Sequence, residues 1–259
     1  MSGTQKIIEA FTNSLPDYLG DVEMNSGKLF YSLAWQQISE HLEPNKNILD
    51  IGCGFGLTSI WFSEQGHSVT GVDLTPDMIH AAEQKAKEKQ QQITFLQGNI
   101  ETLEQIPQIK TYDWIICHNV LGYVENPAET IRKLNARLNP GGYLSIIAHN
   151  PAAKVLRKAL VENDLTQAKE SIYEEEEYNP LIGAYVKQYS TETYKQWFES
   201  MGLKLEGHYG VRCVFDYLRQ GEQEGDLQRL LDLELALGRL SPYRDIAFFT
   251  HFIVKNTNI

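Results

Sequence analysis

The sequence predicts a doubly wound α/β domain built on a seven-stranded, mostly parallel sheet. Three observations predict it. A short apolar run, Ile48, Leu49 and Ile51, is too brief for a helix and stops at three glycines on alternate positions, Gly52, Gly54 and Gly56. Short apolar runs then alternate with longer amphipathic stretches as far as His149, the pattern of strands joined by crossover helices. Two further runs, 203–213 and 246–254, flank a helical stretch and return as a hairpin-like pair. The chain has 259 residues, 42% hydrophobic and 22% charged, which suits one large soluble domain, 1–259, without repeats or low-complexity linkers.

Taken in order, residues 1–27 form an N-terminal segment with turn points at Leu15-Pro16-Asp17 and Gly20-Asp21. Leu29, Phe30, Leu33, Ala34, Ile38 and Leu42 recur at helical spacing, so 28–42 is a helix placed to fold over a ligand above the first strand. After the glycine loop, Leu57, Ile60, Trp61 and Phe62 open a helix whose free N–H groups face that ligand. Strand 68–73, helix 77–89, strand 93–97 and strand 112–118 follow. Helix 127–138 is stopped by Asn139-Pro140-Gly141-Gly142, and strand 143–149 comes next. Residues 151–189 read as a lid-like insertion after the fifth strand: a helix over 151–170, four acids at Glu174–Glu177, then turns around Asn179-Pro180 and Gly183. Helices at 191–200 and 224–238 alternate with the last two strands.

The loop Asp50-x-Gly52-x-Gly54-x-Gly56 is where chemistry is expected. Glycines let a ligand approach the backbone, although a glycine triplet also serves a plain tight turn. A dinucleotide fingerprint, G-x-G-x-x-G, needs a third glycine where Leu57 stands, which disfavours a nucleotide-binding oxidoreductase. Asp73, at the end of the next strand, suits a carboxylate that accepts both ribose hydroxyls of a nucleoside, though Asp73-Leu-Thr-Pro-Asp is also a helix start. A non-catalytic protein of the same fold is disfavoured by the intact Asp50, glycines and Asp73.

This loop resembles motif I of the class I S-adenosylmethionine (SAM) dependent methyltransferases, and the resemblance spans residues 28–255. It implies SAM as cofactor, an antiparallel final strand, and a cofactor site of Asp50, Gly52, Cys53, Gly54, Asp73 and Leu74. Asn99, Ile100 and Glu101 would edge the adenine, and His118 would bind the cofactor or act as a base. Tyr123 would face the acceptor. Gly27-x-Leu29, Trp35-Gln36, Gly66-His67, His118-x-Val120-Leu121 and Gly210-Val211-Arg212-x-x-x-Asp216-Tyr217-Leu218-Arg219 resemble, within that class, the bacterial tRNA 5-carboxymethoxyuridine methyltransferases. That family esterifies a carboxylate on a wobble uridine, which implies Arg212 as the carboxylate anchor and no need for a base. Phe30 stands where the family has an arginine near the cofactor's carboxylate, leaving Lys28 as its stand-in.

The acceptor stays open between tRNA and a small molecule. The formal net charge is −11, and Glu174–Glu177 replaces the family's basic run, so only Lys154, Arg157 and Lys158 offset repulsion from a phosphate backbone. Cys53, Cys117 and Cys213 lack C-x-x-C spacing, so they are expected as packing residues, with no disulfide or metal site. No apolar run approaches a membrane span, and MSGTQKIIEAF lacks a signal peptide's pattern, so a cytoplasmic location without membrane partner is expected. The sequence leaves the oligomeric state undetermined.

Overall fold

The structure, a computed structural model, describes residues 3–106 and 108–257; Met1 and Ser2 of the N-terminal segment lie outside the described residues. In chain order it runs α1 (Gly3–Glu23), α2 (Asn25–Ser39), β1 (Asn47–Ile51), α3 (Leu57–Glu64), β2 (Ser68–Asp73), α4 (Pro76–Glu88), β3 (Thr94–Gln97), β4 (Tyr112–His118), α5 (Pro127–Asn135) and β5 (Leu138–His149). The insertion then holds α6 (Pro151–Leu160), α7 (Leu165–Ser171), β6 (Glu176–Asn179) and β7 (Ala184–Lys187). The chain closes with α8 (Thr191–Ser200), β8 (Leu203–Val211), the single turn α9 (Gln220–Gln223), α10 (Leu227–Gly238) and β9 (Phe249–Asn256).

Seven strands form one sheet in the order β3-β2-β1-β4-β5-β9-β8, and β6 with β7 makes a separate hairpin. The first five are parallel, and β9 runs antiparallel between β5 and β8. The order reverses at β1, which pairs β2 on one side (Ile51↔Val72) and β4 on the other (Ile51↔Cys117). A crevice therefore opens beyond the carboxyl ends of β1 and β4. Period-two alternation fixes the layers. Leu49, Ile51, Ile115 and Cys117 face one core with Ile131, Leu134 and Phe198, whereas Ile48, Trp114 and Ile116 face another with Ile38 and Phe62.

Three local expectations are corrected. The turn points in 3–23 do not break the chain: α1 is continuous through Pro16. Phe11, Leu15, Tyr18 and Val22, at helical spacing, pack with Phe55 and Met78, and that burial offsets a cost of about 3 kcal/mol for an internal proline. Asn139–Gly142 is not a loop before the fifth strand. Leu138 already pairs Tyr112, and an irregularity in register between Tyr112 and Trp114 absorbs Pro140 to Gly142, with Gly141 at φ 74°. The helix expected over 151–170 is two, because Asp164 accepts the N–H of Gln167 and restarts the chain as α7. All three cysteines are buried and free. Among the described residues, no helix is long and apolar enough to cross a membrane.

Candidate functional site

A cavity of about 780 Å³ lies over the crevice, roofed by α1 on one side and the β6–β7 turn on the other. Its floor is the glycine loop. Gly52, Gly54 and Gly56 all have positive φ, and a Cβ on Gly52 would meet Val120 Cγ2 at 2.3 Å, so the loop could not carry side chains there. Gly54 is different: its nearest neighbour would be Tyr18 at 4.0 Å, which leaves a slot between the loop backbone and α1 open to a ligand.

Asp73 lies at the cavity wall and holds this loop in place. Its Oδ2 accepts the Gly54 N–H at 2.9 Å and its Oδ1 the Thr75 N–H at 2.8 Å. Burial raises its pKa, and those backbone donors oppose the rise. Leu74, Asn99, Ile100 and Glu101 line the same end. Asn99 Oδ1 caps the Glu101 N–H at 2.8 Å, and Glu101 Oε1 accepts the Glu125 N–H at 3.0 Å, so both side chains are fixed before a ligand arrives.

Asp50 and Cys53 sit behind the loop, beside a narrow recess rather than the main cavity. Ser59 Oγ donates to Asp50 Oδ2 at 2.6 Å, and burial pushes the Asp50 carboxyl up to about 7. The Cys53 thiol packs toward the Gly71 backbone, 3.1 Å from a Cβ built there, with the Phe95 ring nearer at 2.6 Å. Lys28 does not reach the site. Gly27, Phe30 and Tyr31 form the cavity-facing stripe of α2, and Lys28, one residue and about 100° round from Gly27, is exposed on another face. Among the described residues no lysine or arginine lines the recess; Tyr18 and Tyr31, whose hydroxyls share a hydrogen bond, supply polar groups there together with Asn119, His118, Thr58 and Asp50.

His118 ends a chain of hydrogen bonds whose direction is fixed from the far end. Gln37 Nε2 donates to Gly210 O at 3.1 Å, so Gln37 Oε1 faces His251 Nδ1, which donates to it at 2.6 Å. Burial holds His251 neutral, so its Nε2 accepts from Ser145 Oγ at 2.8 Å, and Ser145 in turn accepts from His118 Nε2 at 2.8 Å. This leaves His118 Nδ1 as a lone-pair acceptor. Burial lowers the His118 pKa to about 3, so the ring is neutral and a poor base at pH 7. Next to it Asn119 adopts a left-handed φ of 55°, and its buried Oδ1 has no partner among the described residues.

Elsewhere in the lining, Arg212, Arg157 and His149 gather around Phe248, and Tyr123 lines the cavity beside Phe11 and Asn179. Tyr123, raised to about 12 by burial, accepts from Asn179 Nδ2 at 3.4 Å and stacks edge-on with Phe11. Arg212 stands at φ 63° and makes a two-pronged ion pair with Asp216, Nε donating at 2.8 Å. That strained backbone is pinned by Glu234, a buried carboxylate that accepts the N–H groups of Cys213, Val214 and Phe215. The aromatic faces of Phe248, Phe249 and Phe215 lie 4.8–5.4 Å from the Arg212 guanidinium carbon.

The insertion contributes more than the sequence indicates. Arg157 lines the cavity, as does the β6–β7 turn from Asn179 to Tyr185. Lys154, expected as an exposed offset to the acids, is a buried strut whose ammonium donates to Glu174 O at 2.8 Å. Arg157, expected only as an offset to repulsion from a phosphate backbone, instead lines the cavity, and Tyr18, Tyr31, Ser145 and His251 are the participants that sequence reasoning missed. Only the 11-15-18-22 periodicity around Tyr18 offered a signal for any of them.

Residues 28–208 match the methyltransferase domain family. The chain is 31% identical over 236 residues to the tRNA 5-carboxymethoxyuridine methyltransferase of Escherichia coli O157:H7, covering 88% of each chain. It is 33% identical over 124 residues to the ubiquinone biosynthesis O-methyltransferase of Xanthomonas axonopodis pv. citri (strain 306), covering 47% of this chain and 52% of that one. The crystal structure of an S-adenosylmethionine dependent methyltransferase from Mesorhizobium loti superposes with a TM-score of 0.60 at 21% identity, covering 86% of this chain and 97% of that one.

Proposed function

This chain belongs to the methyltransferase domain family and is a SAM-dependent methyltransferase, and on that premise we propose that it esterifies a carboxylate, that of a 5-carboxymethoxyuridine in tRNA. The observation that carries this reading is the pairing of a cationic acceptor end with an absence of poised bases. Arg212 and Arg157 line that end, while burial lowers His118 to about 3 and His149 to about 4 and raises Tyr123 to about 12. A phenol or amine acceptor must lose a proton during transfer. A carboxylate is already ionised at pH 7 and needs only to be held.

The residues present fit the cofactor. The slot above Gly54 admits its backbone-hugging part, Asp73 offers acceptor lone pairs to the ribose hydroxyls, and Asn99, Ile100 and Glu101 bound the adenine. Leu74 would pack on the adenine face, and Gly52 would leave room for the methionine part. Its ammonium and carboxylate find the His118 Nδ1 lone pair, the orphaned Asn119 Oδ1 and the Tyr18 and Tyr31 hydroxyls in the recess, with Asp50 and Cys53 backing the loop. When bound, the cofactor supplies an electrophilic methyl group on a sulfonium, open to in-line displacement. The chain's part is then alignment: Tyr123 and Arg212 position the acceptor, and the 151–189 insertion acts as a lid that excludes water. A tRNA acceptor places this reaction in the cytoplasm.

A small-molecule carboxylate is the second reading. It is favoured by Glu174–Glu176, which are exposed on the insertion, and by the loss of Lys154 as a surface cation. The deciding experiment supplies labelled SAM and tRNA from cells that make 5-carboxymethoxyuridine but not its ester, followed by mass analysis of the nucleosides. Label in the ester, lost by about tenfold or more between 50 and 200 mM salt, supports the tRNA reading. No transfer to this tRNA, and no inhibition by it at low salt, would sink it.

A further inference from the structure

The two cavity arginines are not equivalent, and their difference assigns the acceptor's direct contact. Arg212 is already a satisfied cation. Its Nε and Nη2 hold Asp216, its Nη1 points at Ser26 O at 3.5 Å, and Asp21 and Glu234 add further negative charge around it. An incoming carboxylate there would meet a guanidinium whose charge is spent, with acids at its back. Arg157 has no hydrogen-bonded acceptor and no carboxylate within ion-pair distance among the described residues. Its guanidinium carbon lies 5.4 Å from the Phe248 ring centroid, and the same ring is 4.8 Å from the guanidinium carbon of Arg212. Phe248 thus backs both guanidinium groups, and Arg157, which lines the cavity, keeps its N–H groups without a protein acceptor among the described residues.

We propose that Arg157, on α6 of the insertion, is the residue that clasps the acceptor's carboxylate, with Arg212 and Asp216 forming the neutral wall that orients it. His149 completes the subsite. Its ring packs edge-on against Phe248 at 5.5 Å, and burial together with the two guanidinium charges keeps it neutral, so it offers a carboxylate one N–H without adding charge. Because Arg157 rides on the insertion, an anionic acceptor would also tether that insertion over the cavity, whereas a neutral one would leave it untied. This inference rests on the reading of a carboxylate acceptor and names the group that recognises it.

The test measures binding to protein loaded with S-adenosylhomocysteine, using the nucleoside 5-carboxymethoxyuridine and its neutral carboxamide as probes. It is paired with turnover on tRNA carrying 5-carboxymethoxyuridine. Wild-type protein is expected to prefer the carboxylate, and Arg157→Gln to lose that preference by about tenfold or more. Arg157→Lys, which keeps the charge and the packing stem but not the fork, should recover part of it. S-adenosylhomocysteine affinity should stay unchanged in both variants, which separates the effect from misfolding. Equal binding of the two probes by wild type, or binding of neither, overturns the anion subsite. A preference that survives in Arg157→Gln overturns the role of Arg157. Preferential binding of the carboxylate with no tRNA turnover instead overturns the tRNA reading and leaves the subsite standing.

Discussion

The Asp73 carboxylate accepts the backbone N–H of Gly54 at 2.9 Å, so the acid at the end of β2 and the glycine loop at the end of β1 are one hydrogen-bonded unit. Asp73→Ala therefore frees the loop that forms the floor and, on the proposed cofactor placement, removes a ribose acceptor. SAM binding should weaken by about 2–4 kcal/mol, read by calorimetry, with Asp73→Asn less affected. Equal affinity in Asp73→Ala would remove Asp73 from the cofactor site.

Asp50 predicts an unusual pH dependence of stability. The unfolded chain ionises this carboxyl near 3.8, whereas the folded protein holds its proton to about 7. Between those values only the unfolded state has released the proton, so rising pH favours unfolding through this group until about 7, after which its effect is constant. Asp50→Asn can keep a hydrogen bond to Ser59 without that ionisation. The Tm advantage of Asp50→Asn over wild type should grow from pH 5 to pH 7.5, by an amount on the order of a few kcal/mol in stability. A constant difference across the range would refute the buried-acid account.

The hydrogen-bonded run from Gln37 to His118 predicts that His118 binds rather than titrates. With its pKa near 3, kcat should be flat from pH 6 to 9; a fall below pH 7 would instead indicate a base. Ser145→Ala breaks the run and frees the His118 ring to turn its N–H toward the cavity. Cofactor affinity should drop by about 1–2 kcal/mol, and Ser145→Thr should restore it.

Lys154 predicts how the insertion is held. Its buried ammonium joins α6 to the strand-leading segment at Glu174, so Lys154→Met leaves that carbonyl to water and loosens α7 and the hairpin. Protease should cut within 160–176 more readily than in wild type, with stability lower by about 1–3 kcal/mol. In wild type, cofactor and acceptor together should slow the same cleavage if the insertion is a lid.

How much was legible follows from the range of each interaction. Local patterning placed β4 at 112–118 and α8 at 191–200 with the bounds observed, because the spacing of apolar residues along each element is local. It failed at Asn139-Pro140-Gly141-Gly142, where turn chemistry suggested a loop but pairing of Leu138 with Tyr112 drew the residues into β5. The resemblance placed Lys28 in the site as a stand-in for an arginine, and adjacency in sequence to Gly27 and Phe30 does not reveal which face of α2 meets the cavity.

The sequence by itself determined the family, the sheet and the glycine loop that floors the cavity: Asp50, the three glycines and Asp73 lie within one βαβ unit, where spacing along the chain fixes spacing in space. The acceptor end was decided only by tertiary structure. Arg157, Arg212 and Phe248 come from an insertion, a strand end and the approach to the last strand, separated by tens of residues, and meet because β9 threads between β5 and β8. Which arginine is spent on Asp216 and which stays open depends on side-chain pairing across that junction, and no periodicity in the chain encodes it.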